Sequence, residues 1–173
     1  METINSTTEL KSVIYDKLKI AIDSTTEVAL NKLLDIIEHT VYSYNATWTN
    51  GFGGEFGRTH EFYDTWGKTK AKMVRGLRGS AVEASIMQML PLTWHQPFSH
   101  GSVVEGRALT INELDNIINS GISESHINFP AIEARPFWDE FEKWCNENLT
   151  NIFQRECISA GLDVSKVGFA FSF

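Results

Sequence analysis

The sequence is sparing with the residues that staple or punctuate a fold. It holds two cysteines and four prolines in 173 residues. So few cysteines exclude a disulfide-dense scaffold of the secreted kind. Cys145 and Cys157 lie twelve residues apart in one predicted helix. A rise of about 1.5 Å per residue separates them by roughly 18 Å. A disulfide needs Cα atoms within about 7 Å, so the two are read as free, buried thiols. Reduced cysteines fit synthesis in a cytosol. No run approaches the roughly 18 apolar residues that a membrane-spanning helix requires. The opening METINSTTELKS has no basic stretch leading into an apolar one, so it does not read as a secretory signal.

Basic residues are also scarce. Fifteen Lys and Arg stand against twenty-two Asp and Glu, giving a formal net charge of −7. Free-standing nucleic-acid binders are usually basic, so specific DNA or RNA binding is not expected. One local exception runs from Lys68 to Arg78, with Lys70, Lys72 and Arg75 between and no acid. It fits a solvated strand face or a contact for an acidic partner.

Catalytic signatures are missing too. The histidines are His39, His60, His95, His100 and His126, and none stands in a zinc-ligand spacing. No G-x-S-x-G elbow occurs, and Gly79-Ser80, Ser99-His100 and Ser102 lack the context of a triad. The glycine-rich stretch 45–60 lacks the Lys-Ser/Thr ending of a phosphate loop. Asp139 and Lys143 are spaced as an i,i+4 helix ion pair, not as a catalytic dyad. No catalytic, metal or cofactor residue is therefore assigned, and the expectation is a protein that is not an enzyme. A small metal-dependent hydrolase using His60, His95 or His100, with Asp64, is the lesser alternative.

What is present is an ordinary globular balance, 42% hydrophobic and 21% charged residues. The pattern predicts one α+β domain over 1–173. Long N-terminal and C-terminal helices pack on a small, mainly antiparallel sheet. Ser6-Thr7-Thr8-Glu9 is a capping box that opens the first helix. Ser24-Thr25-Thr26-Glu27 repeats the signal, so the region is one bent helix or two. Residues 45–60 read as a flexible loop in which Trp48, Phe52 and Phe56 alternate with glycines. Exposed, these aromatics suit a partner contact; folded back, they join the core. Glu61 to Trp66 fits a short helical turn. Residues 69–74 and 80–90 read as a hairpin turning at 75–79, although 80–90 also suits a helix. Pro91 and Pro97 bracket an edge strand or projecting loop that carries Trp94. Residues 102–127 form an inserted segment whose helix opens at Thr110-Ile111-Asn112-Glu113. Pro136 falls near the first position of a helix that runs to about Ala160 and stops at Gly161. Val167, Phe169, Phe171 and Phe173 alternate as in a final strand.

Ile132-Glu133-Ala134-Arg135-Pro136-Phe137, followed by the amphipathic helix from Trp138 to Ala160, resembles the tail-completion (neck) proteins of long-tailed bacteriophages. In that family an Ala-Arg-Pro-Phe element precedes a last helix of this length. Gly57 through Trp66 looks like the family's region ahead of the hairpin, with Arg58-Thr59-His60-Glu61-Phe62 replacing the usual residues. Ser99-His100-Gly101 is similar in placement to a family strand that ends in glycine. The insertion 102–127 and the aromatic tail depart from the family pattern.

The resemblance implies a structural virion protein, made in the host cytoplasm, that self-associates into a ring joining head connector and tail. Its partners would be other virion proteins: the connector or adaptor, and the tail terminator or tail tube. Neither a membrane nor a cofactor is implied. Arg135 would anchor an interface or, by an intrachain bond, fix the start of the last helix. With Trp48, Phe52, Phe56 and Trp94 it makes up the candidate contact residues. The alternatives are another phage subunit, for head closure or tail termination, and a non-viral protein-binding adaptor.

Overall fold

A computed structural model describes residues 6–43, 48–49, 55–56, 61–76, 79–89, 118–120, 134–166 and 168–173. The class is α+β. Helix α1 spans Thr7–Ile37 and continues as a π-helical turn, Glu38–Tyr42. Two short strands follow, β1 (Trp48–Thr49) and β2 (Glu55–Phe56). Next come helix α2 (Glu61–Asp64) and strands β3 (Trp66–Lys68), β4 (Lys72–Gly76), β5 (Gly79–Glu83) and β6 (Ile86–Gln88). Helix α3 is Phe137–Ser159, and Val164–Lys166 forms a 3₁₀ turn. The strands pair as β1 with β2, β3 with β6 and β4 with β5.

Two compact units share the chain. One holds Met1–Lys32, Lys68–Met87 and Glu142–Phe173; the other holds Leu33–Gly67 and Gln88–Phe141. No helix among the described residues is long and apolar enough to cross a membrane.

The N-terminal region is one helix, not two. Ser6 caps it, its Oγ accepting the Glu9 N–H at 3.1 Å. The second capping sequence lies in mid-helix. There Thr25 Oγ1 donates to the Ala21 carbonyl and Thr26 Oγ1 to the Ile22 carbonyl, both at 2.7 Å. Hydroxyls engaged backwards on the preceding turn do not start a new helix.

In the first unit a small core gathers Ala21, Phe153 and Cys157, with Leu18, Ile22, Ala160, Leu162, Val164 and Phe169 packed on it. Gly161 ends α3 with φ +74°. The Leu162 N–H donates to the Cys157 carbonyl and the Gly161 N–H to the Ile158 carbonyl, each at 2.9 Å. This is a Schellman cap, and Leu162 supplies its apolar contact. Lys17 Nζ donates to the Gly161 carbonyl at 3.1 Å.

The β4–β5 hairpin pairs Lys72 with Glu83 through to Gly76 with Gly79. The expected hairpin is thus present, and 80–90 is strand at 79–83 and 86–88, not helix. Below Lys72 the register slips by one. The Thr69 N–H donates to the Ser85 carbonyl at 2.8 Å, so Lys70 and Ala71 face Ala84 alone. Such a bulge leaves a backbone group without a ladder partner. Asp23 of α1 supplies one: its Oδ1 accepts the Ala71 N–H at 2.8 Å.

The tail departs from expectation. Among the described residues of 168–173 there is no strand. The alternation survives as a run of rings. Phe169 stacks on Phe153 at 4.3 Å, and Phe171 meets both Phe169 and Phe173, at 5.8 and 5.7 Å. A strand needs a neighbour to bond, and among the described residues no strand lies beside 168–172. Val167 lies outside the described residues.

Candidate protein-contact site

The Ala-Arg-Pro-Phe element shapes the start of α3 in the second unit. Pro136 stands just before the first helical residue, where a missing N–H costs nothing. Its carbonyl accepts the Glu140 N–H at 3.1 Å. Phe137 is fully buried. Its ring meets Phe62 edge-on at 5.3 Å, Trp66 at 6.3 Å and Trp138 at 6.2 Å. Trp66 stacks on Trp138 at 5.8 Å with 22° between planes. Such ring pairs add roughly 0.5–1.5 kcal/mol each beyond the area they bury. Trp66 Nε1 is buried with no acceptor in range among the described residues.

Arg135 ties this cluster to the preceding helix. Its Nη1 donates to the Val41 carbonyl, within the π-helical turn, at 2.8 Å, and its backbone N–H donates to the Ile118 carbonyl at 2.8 Å. The intrachain role therefore holds. A π turn shifts backbone bonding by one residue and commonly frees a carbonyl, which suits a guanidinium donor.

Residues 118–120 are helical and belong to the segment read as an insertion. They cap α3. Asn119 Oδ1 accepts the Trp138 N–H at 3.0 Å, and Asn119 Nδ2 donates to Asp139 Oδ1 at 3.3 Å. Asp139 is thus engaged by an amide and not by Lys143, as its spacing had suggested. Sequence reasoning missed Asn119, because a cap supplied from 19 residues away leaves no local pattern.

The remaining contact residues are less fully placed. Trp48 and Phe56 are backbone partners in β1–β2, so the described residues of the stretch read as a loop, 48–49 and 55–56, are strand. Phe52 and Trp94 lie outside the described residues. So do His60, His95, His100 and the helix expected at 110.

In the basic stretch, Lys68 is not a solvated charge. Its Nζ lies 3.0 Å from Glu27 Oε2 and donates to the Asp23 carbonyl at 2.9 Å. Lys72 pairs with Glu83 at 3.4 Å. Both Lys70 and Arg75 are exposed. The one described histidine, His39, is an exposed partner of Asp35 at 3.3 Å.

Cys145 and Cys157 are free and buried. Burial, helped by Glu142, pushes the Cys145 thiol up to about 11. Burial, with Glu156, raises that of Cys157. A thiol held neutral is a poor nucleophile. Among the described residues no three His, Cys, Asp or Glu side chains converge to hold a metal ion.

Apolar side chains do reach the surface, among them Leu10, Ile14, Ile20, Met73, Met87, Ile158, Phe171 and Phe173. Taken one by one such residues are unremarked on any soluble surface. Comparison with known proteins returns no matching family model, no matching curated protein and no matching solved structure.

Proposed function

We propose that the chain is a structural virion subunit of the phage neck or tail-completion type, self-associating into a ring between head connector and tail. One observation carries the reading. The Arg135-Pro136-Phe137 element that resembles the family is built into the start of the last helix, with Phe137 buried and Arg135 bonded to Val41.

Two further features support it. The two-stranded sheets leave strand edges without partners among the described residues, and such edges invite pairing with neighbours. Burial raises the thiols of Cys145 and Cys157, which disfavours the thiolate at both positions and suits a packing role.

The test has two parts. Native mass measurement of the purified chain reads self-association. Immunogold labelling of phage particles from the producing host reads position. Label at the head–tail junction supports the proposal; particles that carry no label remove it. Label on the head or at the distal tail would move the chain to a different virion component.

A further inference from the structure

The tail and the β4–β5 hairpin present complementary deficits. Gly168-Phe169-Ala170-Phe171-Ser172-Phe173 has the strict alternation of a strand. Among the described residues, the backbone N–H and C=O groups of 168–172 make no hydrogen bond. Phe171 is 36% exposed and Phe173 51% exposed. The segment carries no charged side chain, so burying its side chains desolvates no charge.

The hairpin has the converse need. It is only two strands wide, and among the described residues no third strand lies against either edge. Its two edges differ. Strand β4 bears Lys72 and Arg75, the kind of charge that keeps an edge from being paired. Strand β5 bears Ser80, Ala81 and Val82, small and uncharged, with Ser80 and Ala81 exposed; its one charge, Glu83, stands at the end of the strand and pairs with Lys72. Small side chains leave room for large ones alongside. β5 is five residues long and the tail six, so the lengths match.

Tail and hairpin belong to one unit of the same chain, yet here they are not paired. Phe169, stacked on Phe153, fixes where the tail leaves the core.

We propose that residues 168–173 add as a third strand to the β5 edge of a second copy of this chain. Main-chain bonds to β5 provide the affinity, and the phenylalanine face provides the selectivity. Each copy offers one strand and one edge. The contact is therefore heterologous, running head to tail and closing into a ring where the rotation between copies permits. The inference rests on reading the chain as an assembly subunit. Its test uses purified protein alone, so its failure is separate from a failure of particle labelling.

One full-length chain carries Ser172→Cys and another Ser80→Cys. They are mixed at high concentration and treated with a short bis-maleimide that tolerates small differences in register. Cys145 and Cys157 are buried and stay unmodified under brief treatment. The expected result is a covalent dimer in the mixture and none with either variant alone. Adding Ala170→Pro and Phe171→Pro together to the Ser172→Cys chain should abolish it, because successive N–H groups point to opposite sides of a strand and one of the two must face β5. Far-UV circular dichroism should show that this chain remains folded, since Ala170 and Phe171 lie outside the core. No covalent dimer in the mixture overturns the proposal. So does a dimer that survives the paired prolines, or one formed equally by Ser80→Cys alone. In a further chain that carries both Ser80→Cys and Ser172→Cys, cross-linking confined within single chains overturns it too, because the tail would then serve its own hairpin.

Discussion

Asp23 in the first helix accepts a hydrogen bond from the backbone N–H of Ala71, 48 residues later, at 2.8 Å. The carboxylate completes the bulge that the register slip between Thr69–Ser85 and Lys72–Glu83 creates. Lys68, beside it, binds the Asp23 carbonyl and Glu27. Together these bonds fix the strand pair to the helix.

Replacing Asp23 should loosen that attachment. Asp23→Ala leaves a part-buried N–H without its acceptor, at a cost of about 1–3 kcal/mol. Asp23→Asn keeps an acceptor oxygen and should lose less. Urea denaturation of both variants tests the order; equal losses would assign the effect to charge and not to the bond.

Phe137 should be the most sensitive position in the second unit. Phe137→Ala removes a fully buried ring from among Phe62, Trp66 and Trp138, and is expected to cost about 3–5 kcal/mol. Tryptophan emission should shift to the red in the native state, because Trp66 and Trp138 lose a packed neighbour. An unchanged spectrum would contradict this arrangement.

Arg135 separates geometry from charge. Its guanidinium donates to the Val41 carbonyl. Arg135→Lys retains the charge but not the planar fork, so it should recover only part of the roughly 1.5–3 kcal/mol lost in Arg135→Ala. Full recovery by lysine would show that the charge alone matters.

Gly161 answers to backbone conformation. At φ +74° a side chain is strained, and a Cβ would come within 3.0 Å of Lys17 Nζ. Gly161→Ala should cost about 1–2 kcal/mol. The lysine end is flexible and can move aside, so Lys17→Ala in the same chain should restore little. Thermal unfolding of the single and double variants decides between strain and crowding.

The cysteines give a pH dependence with a definite sign. The Cys145 thiol is raised from 9.0 to about 11 by burial and by Glu142, and Cys157 is raised as well. Above pH 9 the unfolded chain releases protons that the folded chain retains. Stability is therefore whole below pH 9 and falls as pH rises through 9 toward 11. Cys145→Ala should flatten that limb of the curve, while its cavity lowers stability at every pH. Native thiol labelling at pH 8 should be slow and become rapid in denaturant.

What could be read in the sequence was what local chemistry decides. The Ser6 cap, the Pro136 start and the Gly161 stop are each set within a few residues, and each stands where its residue type requires. The hairpin around 72–83 follows from alternation and turn residues. Where distant groups decide, local reading went astray. Ser24-Thr25-Thr26-Glu27 has the letters of a helix start, yet a helix already running through it turns the two threonine hydroxyls onto the preceding turn. The tail has the letters of a strand, yet no strand forms without a neighbour. Asn119 and Asp23 act on backbone groups 19 and 48 residues away, and nothing beside them announces it.

The π-helical turn at Glu38–Tyr42 bears on how this chain tolerates changes in length. A π turn is an α-helix with one residue too many, held in place by what uses the distortion. Loss of a single codon here would restore a regular helix and lower the helix's own strain. It would also close the wide turn at Val41, returning the carbonyl that Arg135 engages to the regular helical ladder. A one-residue gap in this stretch is therefore no neutral drift in length. It would uncouple the first helix from the start of the last, and any descendant that carries it must hold Arg135 in some other way.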